Sequence, residues 1–389
     1  MTSFAFSIPT RIQFGPGVSR QAGAEAKLLA SNALGSKHCT LVVIDPAIQS
    51  ATWLNEILRS LEENGLQVSL FSDVEPNPKD VKVYAAAAQL QRDAACVVVA
   101  IGGGSTIDTA KGAALIASYG GKVSDYAGWQ KVPGPVIPLI AIPTTAGSGS
   151  EATCWAVITD TVFHAKLAIG DRNLAAAVAL VDPLVTLSLP SGITAATGMD
   201  ALTHSIEAYI CVLASPVNDL FALESIRLVA ANLLKAVAQG QDLAAREAMM
   251  LASTLGGVAI NNADVAGVHC LSEGMGSLYD APHGLLNAIL LPYFMAFWQG
   301  SCQERFAHIA EAFGAPPRPE EAVKQVVELN SRLNFPALPA LGVKREHLPA
   351  LAALAEANVS NSSNPVPMIK ADYLEILERA LSGQAPGIE

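Results

Sequence analysis

The chain is poor in positive charge: 24 Lys and Arg stand against 35 Asp and Glu, a net charge of −11. Nucleic acid or an anionic bilayer would need a basic face, so neither is expected as a partner. Cysteine is sparse and unpaired in spacing. The six (Cys39, Cys96, Cys154, Cys211, Cys270, Cys302) stand singly with no CxxC pair, which argues for buried thiols in a reducing compartment rather than a disulfide framework. Long apolar runs are also missing. The run from Leu285 to Trp298 is shorter than the roughly 20 residues a bilayer requires, and Asn287 and Pro292 interrupt it. The N-terminus, MTSFAFSIPTRIQF, has no basic flank followed by an apolar core, so a cytoplasmic location is expected. What remains is a globular composition, 51% hydrophobic and 15% charged, over 389 residues, too many for one ordinary core.

The first half alternates strand-like and helix-like segments. Thr40–Ile44, Gln67–Phe71, Cys96–Ile101 and Pro138–Ile142 are short apolar runs, the third continuous enough to be buried on both faces of a parallel sheet. Lys79–Asp93 has helical periodicity. From Ser191 onward, Ala- and Leu-rich segments predict helices over Asp200–Leu213, Pro216–Gln239, Leu243–Ile260 and Pro319–Leu333, with Ser215 and Pro216 suited to start the second. The expectation is an α/β dinucleotide-binding domain over 1–185 and an all-helical domain over 186–389.

After the strand CVVVAI comes Gly102-Gly-Gly-Ser105, then Asp108 and a helix. Such a turn lets backbone approach a pyrophosphate at a helix N-terminus, and it also serves as a tight turn of no further significance. It is neither the GxGxxG fingerprint nor Walker A, since Lys111 sits too far along the helix. Asp45, closing an early strand, suits the two ribose hydroxyls of NAD and would repel the 2′-phosphate of NADP; before Pro46 it is equally a turn former. Thr144, Thr145 and Ser148 offer hydroxyls at a strand's C-terminal end.

Asp200 and His204 are spaced i, i+4, on one face of one helix. His269 and His283 follow on separate segments in apolar, small-residue surroundings, where an unpaired imidazole is costly. One carboxylate and three imidazoles suit a divalent ion with an open position. Spacing alone leaves open whether the separate segments converge, and each residue has an ordinary structural reading.

In order along nearly the whole chain, these residues closely resemble the iron-containing (group III) alcohol dehydrogenases. The match runs from Pro9 through Ile12-Gln-Phe14-Gly-Pro-Gly17, Pro76-Asn-Pro78, Gly102-Gly-Gly-Ser105 with Asp108, Pro143-Thr-Thr-Ala-Gly147, Ser150-Glu-Ala-Thr153, Asp182-Pro183 and the Asp200/His204 helix to Pro282-His-Gly284. The resemblance implies the iron-containing alcohol dehydrogenase (dehydroquinate synthase-like) fold, an active site between the two domains, and homodimers or larger homo-oligomers. It implies metal ligands at Asp200, His204, His269 and His283. It implies cofactor contacts at Asp45, Asn77, Gly103, Gly104, Ser105, Asp108, Thr144, Thr145, Ser148, Thr153 and Lys166. One departure stands out: four residues after His269, where many members carry a histidine near the nicotinamide, this chain has Glu273. It is either a solvated or capping carboxylate, or it takes over proton traffic or bonds a polar substrate group.

The expected reaction is NAD(H)-linked interconversion of a small alcohol and its aldehyde or ketone, with Fe²⁺ as the metal and Zn²⁺ as the alternative. Cys270 beside His269 is expected to be a buried thiol rather than a nucleophile. Rival readings are reduction of a keto acid, as in maleylacetate reductases, a dehydroquinate-synthase-like lyase, and a non-enzymatic nucleotide-binding module. The stretches 200–213 and 262–295 contain no Lys or Arg, which counts against the charged-substrate rivals, and the nucleotide module leaves the four ligands unexplained.

Overall fold

The structure, a computed structural model, describes residues 3–31, 38–163, 165–383 and 386. It divides into two compact units: Ile8–Thr145 with Gly149–Leu189, and Pro190–Glu389 with Met1–Ser7 and Ala146–Ser148.

The first unit runs β1 (Arg11–Phe14), α1 (Ala22–Ala30), β2 (Cys39–Ile44), α2 (Thr52–Glu63), β3 (Gln67–Phe71), α3 (Asp80–Arg92), β4 (Ala95–Gly102) and α4 (Gly104–Tyr119). It continues through β5 (Gly128–Trp129), β6 (Leu139–Pro143), β7 (Trp155–Asp160), β8 (Ala165–Gly170) and β9 (Val178–Val181). Six strands form an all-parallel sheet in the order β1-β9-β6-β4-β2-β3. Alternate residues of β4 feed opposite cores: Val97, Val99 and Ile101 pack with α1 and α2, Val98 and Ala100 with α3 and α4. Burial on both faces is why this strand is apolar without interruption. The sheet winds outward from β2 to β3, then returns to the other side of β2 at β4. That reversal opens a crevice beyond the C-terminal ends of β2 and β4. A smaller sheet, β5-β8-β7, was not among the sequence expectations. Its strand β7 alternates half-buried and buried residues, a weaker signal than a continuous apolar run.

The second unit is helical among the described residues. It comprises α5 (Ser191–Ile210), α6 (Pro216–Ala238), α7 (Leu243–Asn262), α8 (Gly267–Tyr279), α9 (His283–Trp298), α10 (Gln303–Ala312), α11 (Pro319–Leu333), α12 (Leu348–Glu356) and α13 (Lys370–Ser382). Ser215 caps α6 as expected, its Oγ accepting from Asn218 N at 3.3 Å. The expected helix over Asp200–Leu213 is corrected: α5 begins nine residues earlier and ends at Ile210. Its first turns carry Gly192, Thr194, Thr197 and Gly198, poor helix formers that tertiary packing overrides. An alanine methyl at Gly198 would meet Leu233 Cδ1 at 2.3 Å, so α5 needs glycine there for packing against α6. Helix α7 is long and apolar enough to cross a bilayer, yet it lies packed against α5 and α6.

Candidate metal and cofactor sites

Because α5 starts at Ser191, Asp200 and His204 fall in its middle, within a stretch from Gly198 to Ile210 that is buried throughout. His269 is the third residue of α8 and His283 the first of α9. The start of α9 abuts α5 through Gly284, where a Cβ would meet Ala196 O at 2.4 Å; only glycine allows that approach. Farther along, Pro292 cannot donate to the carbonyl of Ala288 one turn back, and Asn330 Nδ2 does so instead. Helix α9 therefore continues through a proline.

These elements bring Asp200, His204, His269 and His283 together, each offering one ligand atom, all within 4.8 Å of one another. The His204 and His269 rings stack at 4.6 Å and the His269 and His283 rings lie 5.1 Å apart. His283 Nε2 is 3.7 Å from Asp200 Oδ1. Glu207, one turn after His204 and fully buried, accepts from Val268 N at 2.7 Å and pairs with His269 Nδ1. That contact fixes the ring so that Nε2 faces the cluster, the arrangement by which outer carboxylates orient metal-bound imidazoles. Burial pushes the Glu207 carboxyl up to about 7 and the His269 imidazole down to about 4, with Asp200 opposing the latter. Burial also lowers His204 against the pull of Asp200. Against its own burial, Asp200 is held below the usual carboxylate range by His204, His283 and His269. A carboxylate and neutral imidazoles converging on one point fit a divalent cation.

Glu273 lies one turn beyond His269 on α8, half-buried, with its Oε2 accepting from Asn358 Nδ2 at 2.8 Å. Burial pushes the Cys270 thiol far up, as befits an inert buried thiol.

In the first unit the glycine turn closes β4 and opens α4, a 16-residue helix with no side-chain cap at its N-cap, Gly103. A Cβ at Gly103 would sit 3.1 Å from Thr145 Oγ1, a tight approach between the turn and the end of β6. Asp45 follows β2, its N donating to Ile101 O beside the turn at 3.1 Å while its Oδ1 accepts from Ala47 N at 2.8 Å. Thr144 N donates to Gly102 O at 3.0 Å, bringing the end of β6 to the same place. Asp45, Gly103, Gly104, Ser105, Thr144 and Thr145 thus gather at the crevice. Asn77, at φ 53°, accepts from Lys166 Nζ at 2.9 Å.

Asp108 and Thr153 are engaged differently. Asp108 accepts from Ser150 Oγ at 2.5 Å and Val157 N at 3.0 Å. Thr153 contributes two oxygens to Lys111, whose Nζ also reaches Ser150 O, Ser150 Oγ and Trp155 O. Lys111 is almost fully buried on α4, and burial lowers it while the charge of Asp108 opposes. Ser148 falls in the 146–148 stretch that groups with the helical unit. Asp182 accepts from Gly17 N, Ser19 N and Ser19 Oγ, joining the loops that follow β1 and β9.

The pattern that describes iron-containing alcohol dehydrogenases matches residues 9–183, and its C-terminal counterpart matches residues 194–381. The chain belongs to the iron-containing alcohol dehydrogenase family. It is 38% identical over 384 residues to an NAD-dependent methanol dehydrogenase of Bacillus methanolicus, covering 97% of this chain and 99% of that one. It is 38% identical to a 1,3-propanediol dehydrogenase of Klebsiella pneumoniae, covering 93% and 95% of the two chains. Its fold superposes on a crystal structure of 1,3-propanediol oxidoreductase with a TM-score of 0.93 at 36% identity, covering 97% of this chain and all of the other. An Oenococcus oeni alcohol dehydrogenase gives 0.92 at 34% identity over 97% of this chain and all of that one.

Three residues escaped the sequence reading. Glu207 could have been found as a carboxylate on the buried face of an apolar helix, three residues after a candidate ligand. Asn287 stood out only as an interruption of the apolar run, although it follows His283 by four. Lys111 carried no signal, because nothing local says that a helix lysine faces inward.

Proposed function

We propose that this member of the family is a metal-dependent, NAD(H)-linked dehydrogenase that interconverts a small alcohol and its aldehyde or ketone. The observation that carries this reading is the convergence of Asp200, His204, His269 and His283 on one point. In this reading Asp200 supplies the charged ligand and three imidazoles the neutral ones, with Glu207 holding His269 in the required tautomer. A divalent ion held by these four residues, Fe²⁺ by family membership, would supply Lewis acidity toward a substrate oxygen, and a bound nicotinamide would supply the hydride chemistry.

The cofactor belongs to the sheet-bearing part, within residues 1–185, and the metal to the helical part, within 186–389. The Gly103–Ser105 backbone at the uncapped start of α4 takes the pyrophosphate, with Thr144 and Thr145 beside it. Asp45 takes the adenosine ribose hydroxyls and disfavours NADP. Lys166, braced by Asn77, would reach the cofactor ribose. Asp108 and Thr153 serve by shaping the loop that Lys111 ties down. A cytoplasmic homodimer or larger homo-oligomer is the expected form.

The test follows NADH absorbance with a panel of short primary alcohols and diols, on protein refilled with Fe²⁺ or with Zn²⁺. Turnover with one of these alcohols supports the reading. No turnover with any alcohol, while NADH still binds, overturns it in favour of keto acid reduction, and activity with Zn²⁺ alone overturns the choice of iron. The position of Glu273 adds a second measurement. If its carboxyl moves protons or bonds substrate, Glu273→Gln lowers turnover and alters the pH profile with metal content intact; an unchanged profile overturns that role.

A further inference from the structure

Asn287 is fully buried on α9, one turn after His283, and its amide nitrogen is where three of the proposed ligands meet. Nδ2 lies 2.8 Å from Asp200 Oδ1, 3.1 Å from His269 Nε2 and 3.2 Å from His283 Nε2. The other amide atom, Oδ1, is buried and makes no hydrogen bond. A carboxamide has two N–H donors and one acceptor oxygen. Here the amide nitrogen faces the three ligand atoms and donates to Asp200 Oδ1, and the acceptor is left unused. The opposite orientation would press Oδ1 against a carboxylate oxygen, so Asp200 dictates how the amide points. As core filling, asparagine is a poor choice at this position, because leucine branches in the same way with no polar atom to strand. The stranded oxygen therefore argues for a task beyond packing. The i, i+4 spacing supplies the geometry, placing the amide on the same helix face as His283.

We propose that Asn287 is a positioning residue of the metal centre: its amide holds the Asp200 carboxylate, which keeps lone pairs to spare for a cation, beside the imidazoles, and so sets the affinity and coordination geometry of the divalent ion. The inference rests on the metal-site reading above. It differs from the role of Glu207, which orients one imidazole, in holding the carboxylate ligand of α5 from α9.

Asn287→Leu and Asn287→Ser test it, compared with the wild type after metal removal. Co²⁺ serves as a probe with a visible spectrum, titrated against a competing chelator, and the thermal midpoint of each metal-free protein is recorded alongside. Both variants are expected to bind Co²⁺ about 10- to 100-fold more weakly, the range found when an outer partner of a ligand is removed, with an altered visible spectrum. Metal-free Asn287→Leu is expected to keep or raise its thermal midpoint, since the stranded oxygen is gone. Wild-type affinity and spectrum in both variants would overturn the proposal, most plainly if their midpoints fall, because Asn287 would then be packing only. A wild-type protein that takes up none of Co²⁺, Fe²⁺ or Zn²⁺ overturns the metal-site reading itself.

Discussion

Glu207 and His269 form a buried pair whose proton inventory makes a sharp expectation. Folded, the carboxyl holds its proton up to about 7 and the imidazole gains one only below about 4. The ordinary values are 4.5 and 6.5. Between pH 4.5 and 6.5 the folded pair therefore carries one proton, on Glu207, and the unfolded pair also carries one, on His269. Equal proton numbers mean that the pair contributes no slope of stability with pH in this window. In Glu207→Gln the folded state carries none while unfolded His269 still binds one, so stability falls as pH drops. Relative to wild type the loss should reach about 2 kcal/mol on going from pH 6.5 to 4.5. Urea unfolding of the metal-free proteins at a series of pH values measures it. Parallel curves for variant and wild type would mean that the two groups do not share their protonation. The same variant should bind metal about 10- to 100-fold more weakly.

Lys111 and Gly284 show how single elements serve the two sites. Lys111 ties α4 to the loop from Ser150 to Trp155 through five oxygen contacts. Lys111→Met takes away the cation whose charge chiefly offsets the burial of Asp108 and strands the loop carbonyls. A loss of about 3–5 kcal/mol is expected, the usual cost of removing one member of a buried charged pair. NADH affinity should fall with it, measured by urea unfolding and by fluorescence titration. Stability within error of wild type would mean that the loop holds itself. Gly284→Ala drives a methyl into the Ala196 carbonyl and pushes the start of α9, with His283, off α5. We expect a loss of about 1–3 kcal/mol together with weaker metal binding, and wild-type binding would show that α9 tolerates the shift.

For the whole molecule, a ligand held only by the folded state stabilises it by mass action, by about 4 kcal/mol when its free concentration is 1,000 times its dissociation constant. Chelation should therefore lower the thermal midpoint and refilling with Fe²⁺ or Zn²⁺ restore it. Asp200→Ala should show no difference between the two conditions. A midpoint indifferent to chelator in the wild type would count against the site.

Local pattern made the parallel sheet legible, because strands buried on both faces must be apolar along their whole length, as β4 is. Helices such as α11 were equally plain, since Pro319 and the apolar repeat mark start and period. The small sheet and the first turns of α5 were not, because β7 is only half-buried and residues 191–198 owe their helix to packing rather than propensity. At the metal cluster the sequence alone settled that Asp200 and His204 share a helix face, since 3.6 residues per turn leaves no alternative. Only the tertiary structure decided that His269 and His283 join them, and that Glu207 and Asn287 stand behind. Convergence of separate helices depends on crossings such as that of α5 with α9 at Gly284, and no spacing within either helix encodes where the other will lie.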